Sequence, residues 1–411
     1  MHPPPCIKCK GRTPEICGRS FCPITTKAES MFKVEKNFKQ DFFGESPAPF
    51  IGRFSYPNIF VGLLSPIEVK DTWVYDAPNH WAKENYGIES IVDLRSALVN
   101  SRFRTNVKDV QTENKFIDIS KEIGMASKPV DIEINLSAKP RFRLNTSAET
   151  APVGPHAALK KAQITSNPKI HTKVDKVVSD IDFKATNALT YLYDKKFDEN
   201  FLSKLLSVGT VGVKEQRKLV PTRWSITATD DMLGKHILDE VHDFKDIDYC
   251  SYFGFYLGNY YLILMLPDKW GYELFETYMP NTSWNLSKEI NYTTDSEGFY
   301  GRKTYAENCA GGYYSVRLAI LEKLRKMKRQ GSVLALRFIT GEYSVPLGVW
   351  VTRAAARKAL QQKAIGFEDK SYMLDYARKL VKKRFGYDLD NILRNSVLLK
   401  EFGKQVRLTD F

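Results

Sequence analysis

The sequence lacks the features of a membrane or secreted protein. Its longest apolar run, over residues 260–266, is far shorter than the roughly 18 residues that a membrane helix needs, and it indicates a buried strand instead. Met1 is followed by histidine, prolines and a cysteine, without the apolar stretch of a secretory signal. We therefore expect a cytoplasmic protein that does not associate with membranes.

The motifs of the common nucleotide-dependent and hydrolytic enzymes are missing as well. The chain has no Walker A loop, no dinucleotide-binding glycine fingerprint and no nucleophile elbow, and it shows no internal repeat or low-complexity tract. It does contain 411 residues, of which 43% are hydrophobic and 12% aromatic. This composition is sufficient for a large core and for two or three domains.

The apolar patterns predict an α+β fold. Glycine and proline separate short apolar runs over residues 42–66, which is typical of strands and turns, and the runs SITAT and YYLILMLP predict further strands. The proline-containing stretch 138–170 predicts long loops. Helices are predicted near residues 26–40, 86–103, 173–193, 232–244, 313–329, 354–363, 371–384 and 389–402. We predict four parts: a Cys-rich arm over 1–25, a large mixed domain over 26–300, a basic helix-rich domain over 301–402 and a flexible tail over 403–411.

Four of the six cysteines lie close together at the start of the chain. Cys6, Cys9, Cys17 and Cys22 have the spacing C-x2-C-x7-C-x4-C, with glycine and proline between them to allow tight reversals. Four thiolates match a closed tetrahedral Zn²⁺ site. Disulfides are disfavoured in the cytoplasm, and an iron–sulfur cluster commonly has a different spacing. We predict structural zinc, because four thiolates leave no coordination position for chemistry.

The positive charge is confined to the last quarter of the chain. Residues 302–411 contain 23 Lys and Arg against 10 Asp and Glu, which accounts for the whole net charge of +13. Such an excess favours a surface that faces a polyanion such as DNA, although a lysine-rich solvated surface is the alternative interpretation. The candidate nucleic-acid-binding residues form two basic clusters: Arg325, Lys326, Lys328, Arg329 and Lys382, Lys383, Arg384.

One acidic stretch, TATDDMLGKHILDEVHDF, could bind a metal ion. His236 and Glu240 are four residues apart and would share a helix face, so together with Asp231 they could hold a divalent cation for phosphodiester hydrolysis. The structural alternative is that Asp230 or Asp231 caps a helix start. The run GGYY over residues 311–314 could likewise hold a phosphate or simply begin a helix. The sequence assigns no catalytic residue.

Several longer motifs resemble those of the archaeal Nre family of DNA repair proteins. They are CxxCKGR with CGRSFCP, SPAPFIGRFSYPNI, PVGP, KLVPTRWSITATDD, GGYYSVRLAILEKL, PLGVWVTR and the closing QVRLTDF, which together extend nearly from end to end. The resemblance implies a role in the repair of DNA damage, an N-terminal zinc-binding motif and a C-terminal peptide that binds the sliding clamp PCNA. It implies no catalytic mechanism.

The last nine residues, GKQVRLTDF, have the spacing of a clamp-binding peptide. Gln405, Leu408 and Phe411 are three residues apart, so one 3₁₀ turn would project Leu408 and Phe411 together. The spacing resembles the PCNA-interacting box, although the second aromatic of that box is absent. Alternatively, Leu408 and Phe411 fold back onto the core. We expect a DNA repair factor recruited by the clamp; the alternative is a metal-dependent nuclease that uses the acidic stretch from Asp230 to His242.

Overall fold

A computed structural model describes residues 22–402, apart from residue 36, residue 68 and residues 142–150. The helices of this part are α1 Pro23–Glu35, α2 Pro78–Lys83, α3 Ile88–Ala97, α4 Lys115–Met125, α5 Thr172–Ser179, α6 Ala185–Asp194, α7 Glu199–Ser207, α8 Thr222–Val241, α9 Ala310–Met327, α10 Trp350–Gln361, α11 Lys370–Phe385, α12 Asp390–Leu393 and α13 Val397–Glu401. Among them, none has the length and apolar character needed to cross a membrane.

The strands build two six-stranded sheets and one short pair. They are β1 Asp41–Ser46, β2 Ala48–Ile51, β3 Asn58–Ser65, β4 Val99–Asn106, β5 Val130–Leu136, β6 His156–Ile164, β7 Lys245–Asp246, β8 Cys250–Tyr256, β9 Asn259–Leu266, β10 Gly271–Tyr278, β11 Asn291–Glu297, β12 Arg329–Gln330, β13 Ser332–Ile339 and β14 Ile365–Gly366. The first sheet has the order β1-β5-β6-β4-β3-β2 and the second the order β11-β10-β13-β9-β8-β14, while β12 pairs with β7. The predicted mixture of helices and strands is confirmed.

The first sheet packs one face against its main core, and its other face is only partly covered, by a small cluster of Leu64, Tyr75 and Leu98. Burial alternates along β1 and β5, as expected for a sheet with one wet face. Ile132 and Ile134 of β5 pack against Ile119 and Ile123 of α4 in one apolar cluster. The opposite face of β3 and β4 leaves polar, aromatic and basic side chains in contact with solvent.

The second sheet is buried on both faces. Every residue of β9 and β13 is buried, because alternate side chains of these strands enter two different cores. Helices α8, α9 and α10 contribute to one core, and α11 to α13 contribute to the other. The strand β13 lies between β10 and β9. This sheet is therefore built from both of the predicted regions 26–300 and 301–402.

Some local predictions are wrong. The run SITAT belongs to the 20-residue helix α8, which begins directly after Pro221. Its apolar and hydroxyl residues alternate as they would in a strand, but Ser225, Thr229, Leu233 and Ile237 form a buried stripe at four-residue spacing. Packing of this stripe against neighbouring elements outweighs the strand propensity of the run.

Other boundaries differ for similar reasons. The helix predicted over 86–103 ends at Ala97, and Arg102 and Arg104 lie on strand β4 instead. The predicted loop over 138–170 contains β6, an inner strand of the first sheet. The helix predicted over 173–193 is two helices, α5 and α6, and the one predicted over 389–402 is α12 and α13.

Candidate functional site

The predicted zinc ligands and the clamp-binding peptide lie almost wholly outside the described residues. Cys6, Cys9 and Cys17 fall in the undescribed segment 1–21, as Gln405, Leu408 and Phe411 do in 403–411. Cys22 is described: it is half-buried, forms no disulfide with a described cysteine and directly precedes α1. The zinc site and the clamp peptide therefore stay predictions.

Asp230 is a structural residue in a buried ion pair. Its carboxylate, 1% exposed, accepts two hydrogen bonds of 2.7 Å from Nη1 of Arg353 on α10. Burial raises the pKa of Asp230 to about 6, against the opposing charge of Arg353. The guanidinium of Arg353 is the cation that both oxygens of this buried carboxylate contact, so Asp230 is a structural residue and not part of the predicted metal site.

Asp231 is held by a second arginine. Its Oδ1 accepts a hydrogen bond from Nη2 of Arg317, a residue of α9 with no exposed surface, and its Oδ2 lies 2.7 Å from Nζ of Lys235. Nη1 of Arg317 donates to Oε2 of Glu297 at 2.9 Å. Asp231 therefore faces Arg317, whereas the predicted metal site required it to face His236.

His236 and Glu240 do share a helix face, as predicted, and Asp194 of α6 joins them. Nε2 of His236 lies 3.1 Å from a carboxylate oxygen of Asp194 and 3.9 Å from Oε1 of Glu240. Three such ligands could hold a divalent cation. However, Nη1 of Arg325 already lies 3.3 Å from Glu240 and 3.8 Å from Asp194. The guanidinium supplies the positive charge that a metal would otherwise provide.

The remaining histidine of the stretch also has a structural contact. Nε2–H of His242 donates to the carbonyl oxygen of Phe299 at 2.9 Å, and the two rings stack with centroids 4.1 Å apart. The acidic stretch thus directs its side chains toward several different neighbours. It does not form the single constellation that a nuclease site would require.

A buried ion network connects α7, α9 and α10. Nε of Arg353 and Nη1 of Arg357 both donate to Oε1 of Glu199 at 2.9 Å. Arg357 also donates to Glu322, which accepts a further hydrogen bond of 2.6 Å from the hydroxyl of Tyr193. Burial alone would raise the pKa of Glu199, but Arg357 and Arg353 hold it well below its usual range.

Part of the positive charge of the basic C-terminal region is used inside the protein. Four of its arginines are paired with carboxylates that lie mostly before residue 301: Arg317 with Asp231 and Glu297, Arg337 with Glu276, Arg353 with Asp230 and Glu199, and Arg357 with Glu199 and Glu322. Part of the positive excess therefore neutralises buried acids in the other half of the sequence. Sequence reasoning missed these arginines because their partners lie 20 to 158 residues away, and pairing over such separations leaves no local pattern.

The two predicted basic clusters do not form one surface. Arg325 to Arg329 end α9 and enter β12, just before β13 begins at Ser332. Arg384 of α11 stacks on Tyr260, which pairs with Phe338 at the far end of β13. Six residues of strand separate the two ends by roughly 20 Å, and α9 and α11 cover opposite faces of the sheet. Arg325 and Lys326 of the first cluster and all three residues of the second lie in a last helical turn, where positive charge favours the helix dipole.

Within these clusters, the side chains differ in accessibility. Lys326, Lys328, Arg329, Lys382 and Lys383 are exposed. Arg384 is exposed as well, although its Nη2 donates to the hydroxyl of Tyr260 at 3.1 Å, whereas Arg325 is half-buried and held by carboxylates, as described above. The exposed lysines and Arg329 are thus available to a phosphate backbone.

The run GGYY begins α9 beside a protein carboxylate. A Cβ placed on Gly312 would lie 2.5 Å from Oε1 of Glu276. Arg337 forms a buried ion pair with Glu276, and the backbone N–H of Cys309, just before the helix, already donates to the carboxylate of Asp295 at 2.8 Å. The glycine therefore makes room for Glu276, and the run is a structural helix start.

Comparisons with known proteins agree with the resemblance seen in the motifs. The family model for the N-terminal region of archaeal Nre matches residues 16–285, and the model for its C-terminal region matches residues 297–411. DNA repair protein NreB of Archaeoglobus fulgidus is 35% identical over 410 residues, which cover 99% of both chains. DNA repair protein NreA of the same organism is 36% identical, over 92% of this chain and 94% of its own length. NreA of Haloferax volcanii is 36% identical over 77% of each chain.

No solved structure matches this chain. The family models nevertheless cover both halves, and the relatives align over most of their length. The chain belongs to the archaeal Nre family.

Proposed function

We propose that this protein is a DNA repair factor that binds DNA and is recruited by the sliding clamp PCNA. The observation that carries the proposal is the end-to-end similarity to proteins named as DNA repair proteins. The environment of α8 favours a binding role over a nuclease role, because Asp230 and Asp231 are each held by an arginine. Incubation with flapped and single-stranded DNA and Mg²⁺ or Mn²⁺ should accordingly leave the DNA intact.

DNA contact is assigned to the exposed basic residues at the end of α11. Lys382 and Lys383 point into solvent, and Arg384 stacks on Tyr260 beside them. Positive side chains of this kind bind phosphates irrespective of sequence and release condensed counterions.

We therefore expect duplex DNA binding that weakens steeply as salt increases. The triple variant K382E/K383E/R384E should bind a 20-base-pair duplex more weakly, and its slope of log affinity against log salt should be shallower by about 0.9 for each phosphate that the protein no longer neutralises. Fluorescence anisotropy at several salt concentrations measures both quantities. A matched control is K176E/K195E/K196E, which makes the same charge change at exposed lysines of α5 and the end of α6. Equal losses in both variants, or binding that ignores ionic strength, would refute this assignment.

Structural zinc is part of the proposal, since four thiols are the donor set that a closed zinc site uses. Purified protein should contain about one zinc per chain by elemental analysis, as one closed tetrathiolate site requires. Cys9→Ser should lose this metal, whereas Cys250→Ala, at a buried thiol of β8, should keep it. Unchanged zinc content in Cys9→Ser would rule out the site.

The clamp contact is assigned to Gln405, Leu408 and Phe411. These residues come after α13, the last helix of the described part of the chain, which ends at Glu401. A short apolar peptide outside the folded domain can enter a groove on a partner without any change in the fold that carries it.

A further inference from the structure

The loop between β2 and β3 exposes large aromatic side chains. Phe54 is 75% exposed and Tyr56 is 44% exposed, although burial of such rings normally stabilises a fold. The guanidinium of Arg53 lies over the ring of Phe54, 5.2 Å from its centroid. The loop therefore presents a pairing of aromatic and cationic groups to solvent.

The first turn of α8 extends this surface. Trp224 is 43% exposed, and its ring lies 5.2 Å from that of Tyr56. The backbone N–H of Ile51 donates to Oγ1 of Thr222 at 2.9 Å, which fixes the loop to the helix. Arg223, also exposed, adds a positive charge, and no side chain caps this helix end.

The open face of the first sheet adjoins this loop, because the backbone N–H of Gly52, next to Arg53, donates to the carbonyl oxygen of Phe60 at 2.8 Å. Phe60, two residues into β3, is 38% exposed, and Cζ of Arg102 lies 4.5 Å from its ring centroid. Arg104 is directly opposite Phe60 across the β3–β4 pair. Both arginines were placed at the end of a helix by the sequence, whereas the sheet puts them beside an aromatic ring.

The segments that form this surface carry no acidic residue of their own. Residues 46–66 contain no Asp or Glu, nor does β4 or the first turn of α8. Among the described residues, Arg53, Arg104 and Arg223 have no carboxylate within ion-pair distance. The surface thus combines exposed rings with uncompensated positive charge. We call it the hairpin patch, formed by Arg53, Phe54, Tyr56, Phe60, Arg223 and Trp224.

We propose that the hairpin patch binds the unpaired bases of a single-stranded nucleic acid. This inference rests on the proposed function, from which it takes nucleic acid as the class of ligand. The patch would be a second binding site, in addition to the basic residues at the end of α11. Aromatic rings and guanidinium planes stack on bases of any identity, while neighbouring arginines neutralise the backbone. In a duplex the base faces are covered by their neighbours, so rings of this kind gain contact only with unpaired bases.

The test compares single-stranded and duplex binding in full-length variants. In F54A/W224A both substituted side chains are exposed, so the fold should persist, and circular dichroism checks this. Loss of stacking at one ring typically weakens binding roughly 5- to 150-fold. We expect F54A/W224A to bind labelled dT12 at least about tenfold more weakly, with duplex affinity changed less than about twofold. Trp224→Phe, which keeps a ring, should retain most of the affinity.

Controls separate this inference from the proposed function. Phe32→Ala removes an equally exposed phenylalanine, 68% exposed on α1, and should bind dT12 normally. A parallel titration with rU12 tells whether the strand is DNA or RNA.

Unchanged affinity of F54A/W224A for both strands would overturn the inference, while duplex binding, and with it the proposed function, would stand. Absence of binding to any nucleic acid by the parent protein would overturn both. If F54A/W224A binds dT12 normally but no longer binds the clamp, the inference is overturned and the patch is a protein-docking surface instead.

Discussion

Replacing Arg353 with methionine is expected to lower the free energy of unfolding by about 3–5 kcal/mol. The guanidinium is 2% exposed and donates to both oxygens of Asp230 and to Glu199. Methionine fills similar space but leaves the carboxylate of Asp230 buried without a counter-charge. Breaking a buried pair in this way costs far more than losing an exposed one. Urea denaturation at constant pH measures the change.

The loss of unfolding free energy in Arg353→Met should be larger at high pH than at low pH. Burial already raises the pKa of Asp230 to about 6, and Arg353 opposes that shift, so its removal should raise the pKa further. The penalty for a charged Asp230 is present at pH 8 and is relieved as pH falls through the raised pKa. We therefore expect the difference in unfolding free energy between Arg353→Met and the parent protein to be smaller at pH 5 than at pH 8.

A double variant and a surface control make this prediction specific. Adding Asp230→Asn to Arg353→Met removes the unpaired charge and should recover part of the lost stability. Arg378→Met breaks a comparable pairing on the surface, where Arg378 contacts Asp375 at 2.7 Å and Asp390 at 2.9 Å with 40% of its side chain exposed. That change should cost at most about 1 kcal/mol. If Arg353→Met costs no more than Arg378→Met, the buried network does not stabilise the fold as described.

Strong apolar periodicity was sufficient to predict several elements. The run over residues 260–266 is strand β9, and the stretch 313–329 is helix α9, with Val316, Ile320 and Leu324 buried as its spacing indicates. The same pattern gives no indication that Arg317 is buried. Its partners Asp231 and Glu297 come from α8 and β11, so only the three-dimensional arrangement shows why a charged residue enters the core.

In the candidate sites, too, local geometry was predictable from the sequence and contacts between distant segments were not. The i, i+4 relation of His236 and Glu240 was predictable because helix geometry is local. Asp194 and Arg325, which join them, come from other helices. The charge excess after residue 301 was counted correctly, but composition cannot distinguish a lysine in solvent from an arginine paired with a distant acid. The hairpin patch was missed because Trp224 and Tyr56 are 168 residues apart in the sequence, and only the folded chain brings their rings within 5.2 Å.

Removing residues 405–411 is expected to abolish binding to the sliding clamp. Leu408 and Phe411 would form one apolar plug and Gln405 would reach a neighbouring polar pocket, so the deletion removes the whole contact. Phe411→Ala alone should weaken binding roughly 30-fold or more, because a central aromatic anchor typically contributes at least about 2 kcal/mol.

Clamp recruitment is the central claim, and calorimetric titration of PCNA tests it most directly. The titrants are the intact protein, the Phe411→Ala variant, the protein shortened after Lys404 and a synthetic peptide of residues 403–411. We predict that the intact protein and the peptide bind, that Phe411→Ala binds at least about 30-fold more weakly, and that the shortened protein does not bind. Undiminished clamp affinity in the shortened protein, or no affinity in the intact one, would contradict the account.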